Sequence, residues 1–199
     1  MGSYERSSGE GTAWAAAAHG AAVPARRVGS GYRRPELLAE QHDVSGFECR
    51  SREQTDWLRR HARQSAAAGT TRVFVVTGPD GLAVVAYYAW CMAQLTAPAS
   101  PDRLRKGAGR YPQPVALLAR LGVDIRHEGR GLGAALLQDV FARLAGLSAD
   151  IGCRGLLIHA ESAEAKKFYL HLVPEFEQSP TDELHLVLLL KDIRKTLAT

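Results

Sequence analysis

A chain of 199 residues, 46% of them hydrophobic and 23% charged, is long enough to bury one domain and short for two. No apolar run approaches the ~20 residues of a membrane span, and three scattered cysteines, Cys49, Cys91 and Cys153, exclude a disulfide framework or a C-x-x-C metal site. A reducing, cytoplasmic home without a bound metal is therefore expected, and a net charge of +4, mostly arginine, is compatible with phosphate-rich partners without demanding them.

Residues 1 to 31 are Gly, Ser, Ala and Arg with few aliphatics, which predicts a disordered tail. Glu5 and Glu10 argue against an export signal there. From Tyr32 the texture changes, and residues 32 to 199 read as one domain. Pro35 to Leu38 predicts a short strand. Ser51 is placed to cap a helix running to about Ala68, with Trp57, Leu58 and Ala62 inward and Arg59, Arg60 and Arg63 on other positions. Thr71 to Thr77 is a β-branched strand, Gly78-Pro79-Asp80-Gly81 a turn, and Leu82 to Ala93 the second arm of a hairpin. Residues 97 to 114 read as a loop in which Arg103, Arg105, Lys106 and Arg110 stand against the single acid Asp102.

Val115 to Val123 is the composition of a buried strand, and Leu136, Leu137, Val140, Phe141 and Leu144 recur at helical spacing after it. Between them Gly129, Gly131 and Gly133 fall at every second position. Gly155 to Ala160 predicts another strand and Ala163 to Leu172 a short helix, with Phe168 packing on the sheet. Leu184 to Leu190 predicts a last strand, and Asp192 to Leu197 a terminal helical turn. Strands alternating with helices in this order make an α/β sandwich.

A glycine-rich loop that opens a helix aims several backbone N–H groups at one point, where the helix dipole also favours an anion. Arg126 and Arg130 add two cations to that spot. No Gly-Lys-Ser or Gly-Lys-Thr follows, so it is not a Walker loop. A dinucleotide loop, satisfied loosely by Gly129, Gly131 and Ala134, places its first glycine at the strand end; here residues 124 to 128 intervene. Glu161, the nearest candidate for a ribose-binding acid, comes too late. A glycine turn that merely packs a helix on a sheet is the bland alternative.

Arg126-His127-Glu128-Gly129-Arg130-Gly131 matches the R/Q-x-x-G-x-G/A signature without adjustment, and the stretch resembles the GNAT N-acetyltransferases. The resemblance implies their single-domain fold, a mixed central sheet flanked by helices. It also implies acetyl-CoA, with the diphosphate near Arg126 and on the amides of Gly129, Arg130, Gly131, Leu132, Gly133 and Ala134. The pantetheine arm would pair with backbone at Leu121, Gly122 and Val123. From Pro35 to Leu197 the chain is similar, more narrowly, to the acetyltransferase toxins of toxin–antitoxin modules, the TacT/AtaT type. Trp57-Leu58, Tyr87-Tyr88, Pro114, His159-Ala160, Ala165, Phe168-Tyr169 and Lys191-Asp192 carry that similarity. Two places depart from it, Phe47-Glu48-Cys49-Arg50 and the stretch around Val173-Pro174-Glu175-Phe176.

Acetyl transfer to an amine needs a held thioester, a neutral amine, a donor for the oxyanion and a proton for the departing thiolate. A backbone N–H of the central strand near Val123 could serve the oxyanion. The resemblance makes Tyr169 the proton donor, and a phenol of pKa about 10 is protonated at neutral pH. A helix tyrosine that only packs on the sheet is the alternative for it. No base stands out among His127, Glu128, His159, Glu161 and Glu164. None is demanded if the acceptor is an α-amine, whose pKa of about 7.7–8.0 leaves it partly neutral, unlike a lysine. The resemblance implies aminoacyl-tRNA as that acceptor, a small ribbon–helix–helix antitoxin as partner and a homodimer. Arg59, Arg60, Arg63, Arg103, Arg105, Lys106 and Arg110 are then the candidate phosphate contacts. The other acceptor weighed is a protein amine or a small amine such as an aminoglycoside, against which the arginine-rich loop speaks.

Overall fold

The computed structural model describes residues 31–79, 81–107 and 109–198. The expected tail lies outside these residues except for Gly31. Among the described residues seven strands form one sheet, in the order β1-β2-β3-β4-β5-β7-β6. They are β1 (Glu36–Leu37), β2 (Arg72–Thr77), β3 (Val84–Leu95), β4 (Gln113–Val123), β5 (Gly155–His159), β6 (Glu177–Ser179) and β7 (Asp182–Leu189). Every neighbouring pair is antiparallel except β4 and β5, which are joined by the crossover helix α4 (Leu132–Leu147). The sheet is therefore mixed, as the resemblance implied.

Alternation along the strands separates two faces. On one, Leu132, Leu136, Leu137, Val140, Phe141 and Leu144 of α4 pack over Tyr88, Trp90, Leu118, Leu156 and Leu188, with Ile193 of α6 (Leu190–Leu197). Each leucine so buried contributes about 1.5–3 kcal/mol. A polar clamp fixes the position of α4. Tyr88 Oη donates to Asp139 at 2.7 Å, as does Arg143 Nε, and the Arg143 guanidinium lies 4.0 Å from the Phe74 ring. On the other face Leu58 and Ala62 cover Val73, Val75 and Tyr87. Leu104 covers Val115, Leu157 and Val187.

Ser51 caps α1 (Arg52–Arg60), its side chain accepting from the Gln54 N–H. The expected single helix to Ala68 is instead α1 and α2 (Ala62–Ala67), interrupted at His61, although the His61 and Ser65 amides keep the helical bonding. The expected 97–114 loop is shorter than its composition suggested. It contains the turn of helix α3 (Asp102–Arg105), because Leu104 is fully buried and pins it, and residues 113 and 114 already belong to β4. Phe168, expected against the sheet, is 37% exposed and lies at the rim of α5 (Ala163–Leu172) instead. Its neighbour Tyr169 takes the inward position, in the core beside Phe176.

Two irregularities of β4 set the geometry of the loop beyond it. Ala89 pairs with Arg120 but Trp90 pairs with Leu118, so Ala119 is an extra residue on β4. This bulge inverts the alternation: Leu121 and Val123 join the α4 face, while Arg120 and Gly122 turn to the α1 face. β4 also pairs with β5 only from Ala116 to Leu118, against Leu156 to Ile158. From Ala119 to Val123 the β5-side edge of β4 has no paired strand among the described residues.

Candidate active site

The loop after β4 is built around one buried acid. Asp124 is fully buried; it accepts from the Glu48 N–H at 3.0 Å, the Arg126 N–H at 2.9 Å, and the Arg126 guanidinium at 2.8 and 2.7 Å. Burial alone would raise its carboxyl, but hydrogen bonds from the Arg126 side chain and from both N–H groups outweigh it and hold the pKa at about 2. Arg126 also donates to the Gly46 carbonyl at 2.7 Å, so its guanidinium is committed to the base of the loop. Arg50 grips Glu128 with two nitrogens. These ties lock residues 46–50 against 124–128.

Above this base the chain passes through Gly129 at φ +71° and Gly131 at φ +79°, left-handed conformations in which a side chain is strained. Gly131 is the N-cap of α4 and no side chain caps the helix. Its first bond runs from the Ala135 N–H to the Gly131 carbonyl, so the amides of Leu132, Gly133 and Ala134 have no partner one turn back. At Gly133 a Cβ would stand 2.9 Å from the Phe168 ring. The missing side chain there brings α5 up to the mouth of α4.

Tyr169 lies beside these elements, in the same apolar cluster as Leu132, Leu121 and Val123. Ser162 caps α5 by accepting from the Ala165 N–H, which sets Tyr169 roughly two turns into the helix. Its ring is 7% exposed. Among the described residues its hydroxyl has no hydrogen bond, and it is not among the sealed, unsatisfied polar atoms. It therefore reaches solvent or a ligand. Burial, and then the Glu161 carboxylate, push its pKa well above the ordinary phenol, so it stays protonated.

On the α1 face of this unpaired stretch lie groups that the sequence named only as a cap, as packing or as unselected bases, together with Arg120, to which it gave no role. Arg120 pairs with Glu53 at 3.0 Å and covers the Trp57 ring at 5.0 Å. That ring stacks on Tyr87, whose hydroxyl donates to the Gln54 carbonyl at 2.8 Å. Ser51 donates to Glu161. His159 and His185 stack at 3.8 Å, and burial, then His185, lower the His159 pKa. Only the bulge at Ala119 brings Arg120 to this side, and nothing in the residue types marks that bulge.

The seven cations set aside for nucleic acid are not one surface. Arg60 reaches Asp56 at 3.6 Å, and Arg63 donates to the carbonyls of Ala39 and His42 at 2.8 and 2.5 Å. Arg103 bridges Glu177 at 2.6 Å and Asp192 at 2.7 Å, and Arg105 pairs with Asp102. Arg59, Lys106 and Arg110 are exposed, with no acidic partner among the described residues. Residues 97–112 precede β4 and the glycine loop follows it, so about 33 Å of strand separates them. Among the described residues no group of three or more His, Cys, Asp or Glu could hold a metal ion, and no helix is long and apolar enough to cross a membrane.

No family model matches the chain. It is 41% identical over 165 residues to a tRNA-acetylating toxin of Mycobacterium tuberculosis, covering 83% of this chain and 96% of that one. It is 27% identical to a probable toxin TacT of Sinorhizobium fredii, covering 81% and 92%. Among solved structures it resembles a tyrosine-to-phenylalanine mutant of KacT, with TM-score 0.77, 23% identity, and 83% of this chain and 99% of that one covered. It also resembles AtaT complexed with acetyl-methionyl-tRNA, with TM-score 0.74, 24% identity, and coverage of 84% and 99%. The fold of those two structures is the sheet described above, and the likeness to the mycobacterial protein spans 83% of this chain and nearly all of that one. The chain belongs to the TacT/AtaT-type GNAT acetyltransferases, the family of the tRNA-acetylating toxins.

Proposed function

We propose that this protein is a toxin that transfers the acetyl group of acetyl-CoA to the α-amine of aminoacyl-tRNA and so blocks translation. One observation supports this most: an α4 N-terminus without a side-chain cap, a β4 edge unpaired past Leu118 and a Tyr169 hydroxyl without a partner among the described residues border one apolar cluster. In this reading the amides of Gly129 to Ala134 take the diphosphate. Arg126 acts from below, by fixing the loop through Asp124. The unpaired edge of β4, at Leu121, Gly122 and Val123, pairs with the pantetheine amides. The amine attacks the thioester carbonyl from the α1 face, and a β4 N–H past the bulge stabilises the oxyanion. The C–S bond then breaks, Tyr169, kept protonated by its burial, gives its proton to the departing thiolate, and the proton shed by the acylated nitrogen returns through solvent to the tyrosinate.

An acetylated α-amine cannot attack in peptide-bond formation, and the family membership supports charged tRNA as the acceptor. Arg59, Lys106 and Arg110 are the best-placed phosphate contacts of the seven cations. We further propose a cytoplasmic homodimer held inactive by a ribbon–helix–helix antitoxin; AtaT has been captured with the C-terminus of its antitoxin AtaR. The test is a translation extract supplied with acetyl-CoA. The wild-type protein is expected to arrest synthesis and Tyr169→Phe is not. Undiminished synthesis with active protein, or acetylation of aminoglycosides in preference to charged tRNA, would reject the reading.

A further inference from the structure

The charges around the glycine loop can be paired off, and one is left over. Arg126 covers Asp124 and Arg50 covers Glu128, whereas Arg130 has no carboxylate within ion-pair reach among the described residues. Its guanidinium donates instead to Tyr32 Oη at 2.9 Å and to the Arg126 carbonyl at 3.4 Å. Arginine has donors only, so the Tyr32 oxygen accepts here and its own proton goes elsewhere. The acceptor within reach is His127 Nδ1, 2.9 Å away. His127 therefore carries its ring proton on Nε2, for which the described residues supply no acceptor.

The hydroxyl at the centre of this chain is well held. The Tyr32 ring packs against the α4-side core and meets the His127 ring edge-on at 5.7 Å. Beside the two left-handed glycines, the cluster thus presents one unneutralised guanidinium and one imidazole N–H. Neither Tyr32 nor His127 has a task in the transfer step. Two pre-oriented donors with a surplus positive charge suit a phosphate monoester, which carries nearly two negative charges at neutral pH.

We propose that Tyr32, His127 and Arg130 receive the 3′-phosphate of the CoA nucleotide, apart from the α4 amides that take the diphosphate. The proposal rests on the acetyl-CoA reading above and adds to it a selection for the phosphorylated ribose. Calorimetric titration of the full chain with acetyl-CoA and with its 3′-dephospho form tests it. The wild type is expected to prefer acetyl-CoA roughly tenfold or more, the scale of one or two charge-assisted hydrogen bonds. Tyr32→Phe, which keeps the packed ring, and Arg130→Gln are each expected to lose most of that preference. Equal binding of both forms by the wild type overturns the proposal and leaves the acetyl-CoA reading intact. So does an equal weakening of both forms in the variants, which would assign the cluster to the diphosphate, or a loss confined to tRNA binding. Failure to bind either form brings down the acetyl-CoA reading and this proposal together.

Discussion

Two cation-rich, glycine-bearing segments stand at opposite ends of β4, residues 97–112 before it and 124–134 after it. By residue type they look alike. In the first, Arg103 and Arg105 are spent on acids of the same chain, and Leu104 anchors the segment to the core. In the second, the acids are covered from below, and the loop ends in helix amides that no described residue caps and one guanidinium that no described residue neutralises. Positive charge in a loop is thus a poor guide to a site. Donors without protein partners, held in place by a buried acid and by left-handed glycines, are a better one.

The contrast can be broken first at the glycine-loop end. Replacing Tyr169 by Phe is expected to reduce turnover roughly 10²–10⁴-fold, the range for a lost general acid, while the melting temperature holds. A purified variant that turns over like wild type would remove the chemistry from this cleft. Next, Gly131→Ala forces a side chain to φ +79°, at a cost of about 1–2 kcal/mol. Acetyl-CoA affinity, read by calorimetry, should fall severalfold, whereas the same change at Gly109, φ +68° in the other segment, should leave it alone.

Smaller effects sharpen the difference within the cations. Arg110→Ala should lower the slope of log affinity for charged tRNA against log salt by about 1, as one phosphate contact is lost. Arg103→Ala should leave that slope and instead lower stability slightly, as the loss of a partly exposed ion-pair network does. A further effect is tied to pH. Because Asp124 is held at about 2, below the ordinary carboxylate, its stabilising contribution is complete above about pH 3.9. That contribution is lost as pH falls through the folded value. Asp124→Asn should therefore be less stable than wild type in urea titrations at neutral pH, with the gap closing as pH approaches 2.

The strand, glycine loop and helix from 115 to 147 were legible because each carries its own local signal: apolar composition, glycines at alternate positions, a helical repeat of leucines. Ser51 as a cap was legible for the same reason. What could not be read depends on distant partners. Arg103 meets Glu177 and Asp192, which lie 74 and 89 residues away, so its charge looked available when it was not. The bulge at Ala119 carries no glycine or proline to mark it, yet it decides that Arg120 faces Trp57. Phe168 and Tyr169 are adjacent and both aromatic; only the packing of α5 against Gly133 fixes which one turns inward.

Mass spectrometry of the aminoacyl ends of a charged tRNA pool, incubated with purified protein and acetyl-CoA, tests the central claim most directly. One acetyl group is expected on the α-amine of at least one aminoacyl-tRNA, dependent on Tyr169. Unmodified ends throughout that pool, from protein that binds acetyl-CoA, would contradict it.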